Sequence, residues 1–233
     1  MLIDLRLVER NLLDLIFPPR CVVCHRVGDY WCCDCSKDVL LIAPPLCDWC
    51  GQPVSAPGRC AACQTHPRTL DGIRSVAWFD GTLREAIHAF KYEGLAALDR
   101  RLGELLVQGW QRLRPPGEVL VPVPLHGRRL RERGYNQSAL LARQLAQQTG
   151  LPVLEDVLRR VRQTAPQAEL SASQRWDNVR EAFHCQRGDR IHGRAMLLVD
   201  DVCTTGATLT ACAEALRPYG PTSVWALTLA HAR

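Results

Sequence analysis

The sequence predicts an α/β protein built on a parallel sheet, with a small metal-stapled module ahead of it. Three observations carry this. Short, largely apolar runs at 119–125, 195–199 and 223–230 have the length of strands buried on both faces, the kind that parallel sheets use. Between them lie longer stretches with helical spacing of leucines and alanines. Ahead of them all, four Cys-x-x-Cys pairs crowd into the region 21–63. At 233 residues and 47% hydrophobic, the chain is large enough to bury a real core beside that module. The reading divides it into an N-terminal helix (1–19), a zinc-finger region (20–70) and an α/β domain (71–233).

Residues 2–17 read as an amphipathic helix stopped by Pro18-Pro19. Asp4, Arg6, Glu9, Arg10 and Asp14 interrupt it, so it cannot span a bilayer, and no other segment is long and apolar enough to do so. Twelve cysteines would suit a secreted disulfide scaffold, but eight of them form close pairs and no signal peptide precedes them. That usage predicts metal sites in a reducing, cytoplasmic setting. The pairs are Cys21/Cys24, Cys32/Cys35, Cys47/Cys50 and Cys60/Cys63. Two pairs supply four thiolates and close one tetrahedral structural Zn²⁺ site, so eight cysteines predict two zincs. Spacing leaves the pairing open between sequential and interleaved. Cys33 is a spare that could replace Cys32 only with poorer knuckle spacing, and His25 and His66 could compete as ligands but read as bystanders. Arg20, Arg26, Lys37, Arg59 and Arg68 surround the block and would suit contact with DNA.

The first strand of the α/β domain is expected over 72–80, followed by a helix capped by Thr82 and ending near Phe90. Lys91-Tyr92-Glu93-Gly94 reads as a turn, and a second helix runs over 95–113. The run 119–125 is a buried strand that prolines break at its C-terminal end. A basic loop follows at 126–137, four arginines against one glutamate, placed where a strand end can present several cations to one anion. Asn136 caps the next helix, to about Gln148. A short strand is expected over 153–157. From Arg159 to Arg194 the chain is strongly basic again, with eight arginines against four acids.

The densest chemistry lies in Met196-Leu-Leu-Val-Asp-Asp-Val-Cys-Thr-Thr-Gly-Ala-Thr-Leu209. An apolar strand ends at the carboxylates Asp200 and Asp201. Thr204, Thr205, Gly206, Ala207 and Thr208 then form a hydroxyl-rich turn into a helix that runs from about Leu209 to Arg217, with Gly220 and Pro221 beyond it. A helix N-terminus behind such a turn gathers backbone N–H groups and the positive end of the helix dipole, which suits a phosphate. Carboxylates repel phosphate but accept hydrogen bonds from sugar hydroxyls. A ribose 5-phosphate meets both demands. On the sequence this loop lies outside the core, so Gly206→Val should block the phosphate without unfolding the chain.

Leu-Val-Asp-Asp-Val-x-Thr-Thr-Gly-x-Thr resembles the phosphoribosyl pyrophosphate signature of type I phosphoribosyltransferases. The whole chain, cysteine block included, resembles the ComF family of competence-related proteins, near its GntX branch. The resemblance implies a type I phosphoribosyltransferase fold and transfer of phosphoribosyl to an acceptor with release of pyrophosphate, assisted by Mg²⁺. It gives Asp200 and Asp201 the ribose and Thr204, Thr205, Gly206, Ala207 and Thr208 the 5-phosphate. Arg128, Arg129 and Arg133 become the cations of the pyrophosphate loop. Lys91, in the family's Lys-Tyr/Phe segment, faces the pyrophosphate, and Asp200, Asp201, Arg128 and Lys91 form the catalytic set. The basic stretch containing Thr164, Gln167, Arg175 and Asn178 becomes a lid over the ligand. The same resemblance supports an alternative, a non-catalytic protein of DNA uptake that contacts single-stranded DNA or recombination proteins and uses phosphoribosyl pyrophosphate as a regulatory ligand.

Overall fold

The computed structural model describes residues 18–64, 69–163 and 172–232. The expected helix at 2–17, His66 and Arg68, and the lid residues Thr164 and Gln167 lie outside them. A four-stranded, all-parallel sheet forms the centre, in the order β1–β6–β5–β2. Its strands are β1 (Gly72–Trp78), β2 (Val119–Pro122), β5 (Ala195–Cys203) and β6 (Ser223–His231). Alternation along each strand sends side chains to opposite faces. Val119, Val121, Met196, Leu198, Val224 and Ala226 face one core; Leu120, Leu197, Val199, Leu227 and Leu229 face the other. Both faces are covered, which is why these strands read as continuous apolar runs rather than alternating ones.

After the short α1 (Cys33–Lys37) of the cysteine region, helices α2 (Gly81–Tyr92), α3 (Asp99–Leu113) and α5 (Gln137–Thr149) cover one face. Helix α7 (Ala207–Leu216) and a short antiparallel hairpin, β3 (Leu158–Arg160) with β4 (Phe183–Cys185), cover the other. Helix α6 (Ala172–Val179) lies between the two hairpin strands in sequence and packs on α7. Among the described residues no helix is long and apolar enough to cross a membrane.

Several local expectations need correcting. Asp80, not Thr82, caps α2, its carboxylate accepting from Gly81 N at 2.8 Å. Thr82 instead donates to the carbonyl of Cys35 at 2.8 Å. Lys91 and Tyr92 belong to the last turn of α2, so the turn begins at Glu93. Residues 153–157 form no strand: only Val153 bridges Leu120, at the outer edge of β2. The basic loop is helical over α4 (Gly127–Arg133), between the cap His126 and Gly134. Propensity explains this, because arginine and leucine favour helix as soon as a cap relieves the first N–H groups.

The cysteine region is not a pendant. Cys21, Trp31 and Cys35 join the core beneath α2 and α3, where Arg101 reaches Asp29 at 2.6 Å. Cys47, Trp49, Cys50 and Cys63 join the core on the other face. Between the two halves, Ile42 N donates to Val76 O and Trp78 N to Leu40 O, at 3.0 and 2.8 Å. This stretch covers the free edge of β1, which would otherwise offer unpaired backbone groups to other chains.

Candidate ligand cleft and zinc sites

Strand β5 runs on through Asp200, Asp201 and Val202 to Cys203, four residues further than the apolar run suggested. The carboxylates therefore sit within the strand, in rigid backbone, and neighbouring residues turn to opposite faces. Asp201 is buried and fully engaged: Lys91 Nζ lies 2.6 Å from its Oδ1 and Gln137 Nε2 donates to its Oδ2 at 3.1 Å. Asp200 accepts from Ser138 Oγ at 2.8 Å and from the Asp201 N–H at 2.9 Å, both on Oδ1, so these bonds leave Oδ2 over. Gln137 and Ser138 open α5, whose cap Asn136 accepts from Ser138 N at 3.1 Å, as its side chain type predicts.

Asp200 retains some surface, yet the cleft walls enclose its carboxyl. Burial pushes it up to about 7, the charge of Asp201 adds to this, and Lys91 and the two hydrogen bonds oppose it. Lys91 thus compensates two adjacent carboxylates rather than facing outward alone.

These groups open into a cleft of about 260 Å³. Lys91, Arg129, Arg133, Arg160, Gln137, Ser138, Asp200, Asp201, Thr204 and Thr208 contribute its polar wall, and Phe79, Ile87, Tyr92 and Leu125 its apolar one. Arg133 is the most constrained cation, with its guanidinium 5.4 Å from the Tyr92 ring centroid and Nη1 buried without a hydrogen-bond partner among the described residues. A buried donor left over in a cleft is an opening for a ligand acceptor. Arg128 is placed differently: it is exposed, pairs with Glu132 at 2.8 Å one helical turn on, and does not line the cleft. The sequence missed Arg160, Gln137 and Ser138. Arg160 comes from the β3 end, bridged to His126 of the basic segment. Gln137 and Ser138 were legible in principle, since polar residues just after a cap stand at a helix N-terminus.

Thr204, Thr205 and Gly206 carry the chain from β5 into α7, which starts at Ala207, two residues earlier than its leucine spacing suggested. Thr205 Oγ1 accepts from Ala207 N at 3.4 Å, and Gly206 has φ +79°. The loop is not outside the core. A Cβ at Gly206 would stand 3.0 Å from Ile73 Cδ1 and 3.9 Å from Trp49 Cη2. The expectation that valine would be tolerated structurally there is therefore withdrawn.

In the cysteine region the pairing is sequential. Cys21, Cys24, Cys32 and Cys35 form one group and Cys47, Cys50, Cys60 and Cys63 the other, all Sγ atoms of a group within 4.8 Å of one another. Cys24–Cys32 and Cys50–Cys60 Sγ separations are 3.7 and 3.8 Å. A zinc–sulfur tetrahedron with bonds of about 2.3 Å has edges of about 3.8 Å, so the donor sets fit Zn²⁺ as they stand. Cys33 is exposed and belongs to neither group, and neither does His25. Elemental analysis of purified protein is expected to find two zincs per chain, and thorough chelation to unfold the ribbons. One zinc or none, or an intact fold after chelation, would overturn this.

A parallel sheet carrying a carboxylate pair and a threonine-rich turn at its C-terminal edge, beside two Cys₄ sites, defines a phosphoribosyltransferase-fold protein with a double zinc ribbon. Accordingly, residues 135–233 match the phosphoribosyl transferase domain family and residues 12–64 the double zinc ribbon domain family. The chain is 32% identical over 222 residues to Competence protein F of Haemophilus influenzae, covering 89% of this chain and 96% of that protein. It is 32% identical over 225 residues to DNA utilization protein YhgH of Salmonella typhi, covering 91% and 98%. Competence protein ComFC of Bacillus subtilis is 28% identical over 196 residues, covering 81% and 78%. The chain belongs to the ComF family of competence proteins.

Proposed function

We propose that the cleft binds phosphoribosyl pyrophosphate and transfers its phosphoribosyl group to an acceptor, releasing pyrophosphate. The observation that carries this is convergence: an acidic pair, a threonine-rich helix N-terminus and three arginines open into one cavity. Thr204 and Thr208, with the backbone at the start of α7, hold the 5-phosphate. Asp200 Oδ2 accepts from a ribose hydroxyl, while Asp201, locked by Lys91 and Gln137, fixes the strand end. Arg129 and Arg133 bind the pyrophosphate and stabilise its negative charge as the bond from C1 to its oxygen breaks. Asp200 steadies the ribose as it gains positive charge, and the acceptor's lone pair forms the new bond to C1. The oxygen left over on Asp200 would suit Mg²⁺, which bound with the ligand would neutralise pyrophosphate charge. Arg160 and the neighbouring basic segment close the ligand off from water.

Arg129→Ala and Arg133→Ala are expected to weaken phosphoribosyl pyrophosphate about 10- to 100-fold, the loss of a charge-assisted hydrogen bond, and ribose 5-phosphate far less. Arg128→Ala should leave both near the parent value, because Glu132 already holds that side chain. Calorimetric titration with the two ligands checks this, and equal losses for both would move the pyrophosphate elsewhere.

A second reading keeps the ligand and makes the protein a cytoplasmic DNA-handling factor, favoured by relatives named for competence and DNA utilization. A screen of acceptors for pyrophosphate release, with and without single-stranded DNA, separates the two. Release with some acceptor supports transfer; ligand binding without release, together with salt-sensitive DNA binding, supports handling.

A further inference from the structure

The two zinc ribbons pack against opposite faces of the central sheet. The first docks against the start of α2 and against α3, through Thr82 to Cys35 and Arg101 to Asp29. The second lies under the threonine loop. Trp49, between ligands Cys47 and Cys50, is buried, and its indole Nε1 donates to Leu70 O at 2.7 Å. Its carbonyl accepts from Ile73 N at 2.6 Å, so the backbone of the ribbon is bonded directly to β1. Gly51, at φ +70°, sits so close to this strand that a Cβ would lie 2.5 Å from Ile73 O. Ile73 and Trp49 are the two side chains that a Cβ at Gly206 would meet. Gln52 reaches His231 at 2.8 Å, and His231 pairs in register with Cys203, the residue just ahead of the loop. The second ribbon therefore bonds to β1 and β6 and reaches the turn at Gly206 through Trp49.

We propose that the second zinc site is the buttress of the Thr204–Thr208 loop: metal held by Cys47, Cys50, Cys60 and Cys63 fixes Trp49, and Trp49 with Ile73 fixes the turn at Gly206. Trp49 is a positioning residue. Without the metal, the four cysteines are no longer tied to one another and the ribbon loses the cross-link that orients the indole. The loop then keeps its sequence but loses one wall. The consequence for ligand rests on reading this loop as the phosphate cradle; the structural coupling does not.

Two single-site variants of the full chain test the coupling. Cys60→Ser empties the second site and Cys24→Ser the first, and elemental analysis should find one zinc in each. Hydrogen exchange followed by mass spectrometry should show peptides across 203–208 exchanging at least tenfold faster in Cys60→Ser, with 119–122 unchanged. Cys24→Ser should leave 203–208 at the parent rate. Should Cys60→Ser fail to fold, Trp49→Ala, which retains both ligand sets, makes the same measurement, and Trp49→Phe should restore parent exchange. Unchanged exchange at 203–208 in Trp49→Ala, or equal acceleration with loss of either zinc, overturns the proposal. Calorimetry with ribose 5-phosphate is the second arm: Trp49→Ala should bind roughly tenfold more weakly and Trp49→Phe like the parent. A parent protein that binds no ribose 5-phosphate would defeat the reading of the cleft, and exchange would still decide the coupling.

Discussion

Gly206→Val is expected to cost the protein its ligand and much of its stability together. Three constraints meet at this position. Its φ of +79° is one that L residues adopt only at a cost of about 1–2 kcal/mol, more for a branched side chain. Its Cβ would stand 3.0 Å from Ile73 Cδ1, and valine adds two methyl groups beyond that point in a filled core, which costs about 1–3 kcal/mol. Relaxing either clash means moving the turn, which in the proposed function presents the backbone to the phosphate. The sum, about 2–5 kcal/mol, is a large part of an ordinary domain's net stability of about 5–15 kcal/mol. The variant should fold with a clearly lowered thermal midpoint and show no ribose 5-phosphate binding by calorimetry. Gly206→Ala separates the two effects, since its single methyl meets mainly the movable end of Ile73. It should lose about 1–2 kcal/mol of stability and retain weak binding. A valine variant melting with the parent would refute the packing described here, and one binding like the parent would remove the phosphate from this loop.

How far the sequence disclosed this site depended on the kind of signal. The buried strands were legible because a parallel sheet covered on both faces needs unbroken apolar runs, and 195–199 and 223–230 had nothing else to be. The cysteine pairs were legible as metal sites because zinc geometry dictates the spacing of a knuckle. Which knuckles share a metal was not, because that depends on how the chain returns through space. Asp200 and Asp201 were marked as site residues by their place at the strand end, but their difference was invisible. It arises from Lys91, Gln137 and Ser138, which reach them from two helices over separations of 62 residues and more. Arg128, Arg129 and Arg133 looked equivalent in a loop. In a helix they diverge, because residues one apart point in different directions and Arg128 meets Glu132 a turn later. Gly206 misled for the opposite reason: a turn rich in threonine looks solvated, and the arrival of Ile73 and Trp49, each from more than a hundred residues away, makes it part of the core.

Asp200→Asn is expected to move stability and binding in opposite directions. Asp200 titrates near 7 in the folded protein because burial and the neighbouring Asp201 disfavour its charge, against an ordinary value of 3.8. Below pH 4 both folded and unfolded chains hold the proton, and the folded state suffers no penalty. Between about pH 4 and 7 the unfolded chain ionises first, so stability falls as pH rises, and above 7 the loss is complete. A shift of three units would correspond to about 4 kcal/mol, and sharing of the strain with Asp201 and Lys91 makes roughly half of that the expectation. Asparagine cannot ionise. The variant should match the parent near pH 4 and be more stable by about 2 kcal/mol at pH 8 in the free protein. Its ribose bond drops from charge-assisted to ordinary, about 1 kcal/mol or somewhat more, hence roughly tenfold weaker binding. Turnover should fall further, because the carboxylate also faces a sugar that becomes cationic. Asp201→Asn should behave otherwise, losing stability at pH 8, because it leaves the part-buried Lys91 without its counter-charge. Denaturant unfolding at pH 4 and 8, paired with calorimetry, reads both effects. An Asp200→Asn protein no more stable than the parent at pH 8 would mean that Asp200 is not strained, and with that would go the enclosure of its carboxyl beside Asp201.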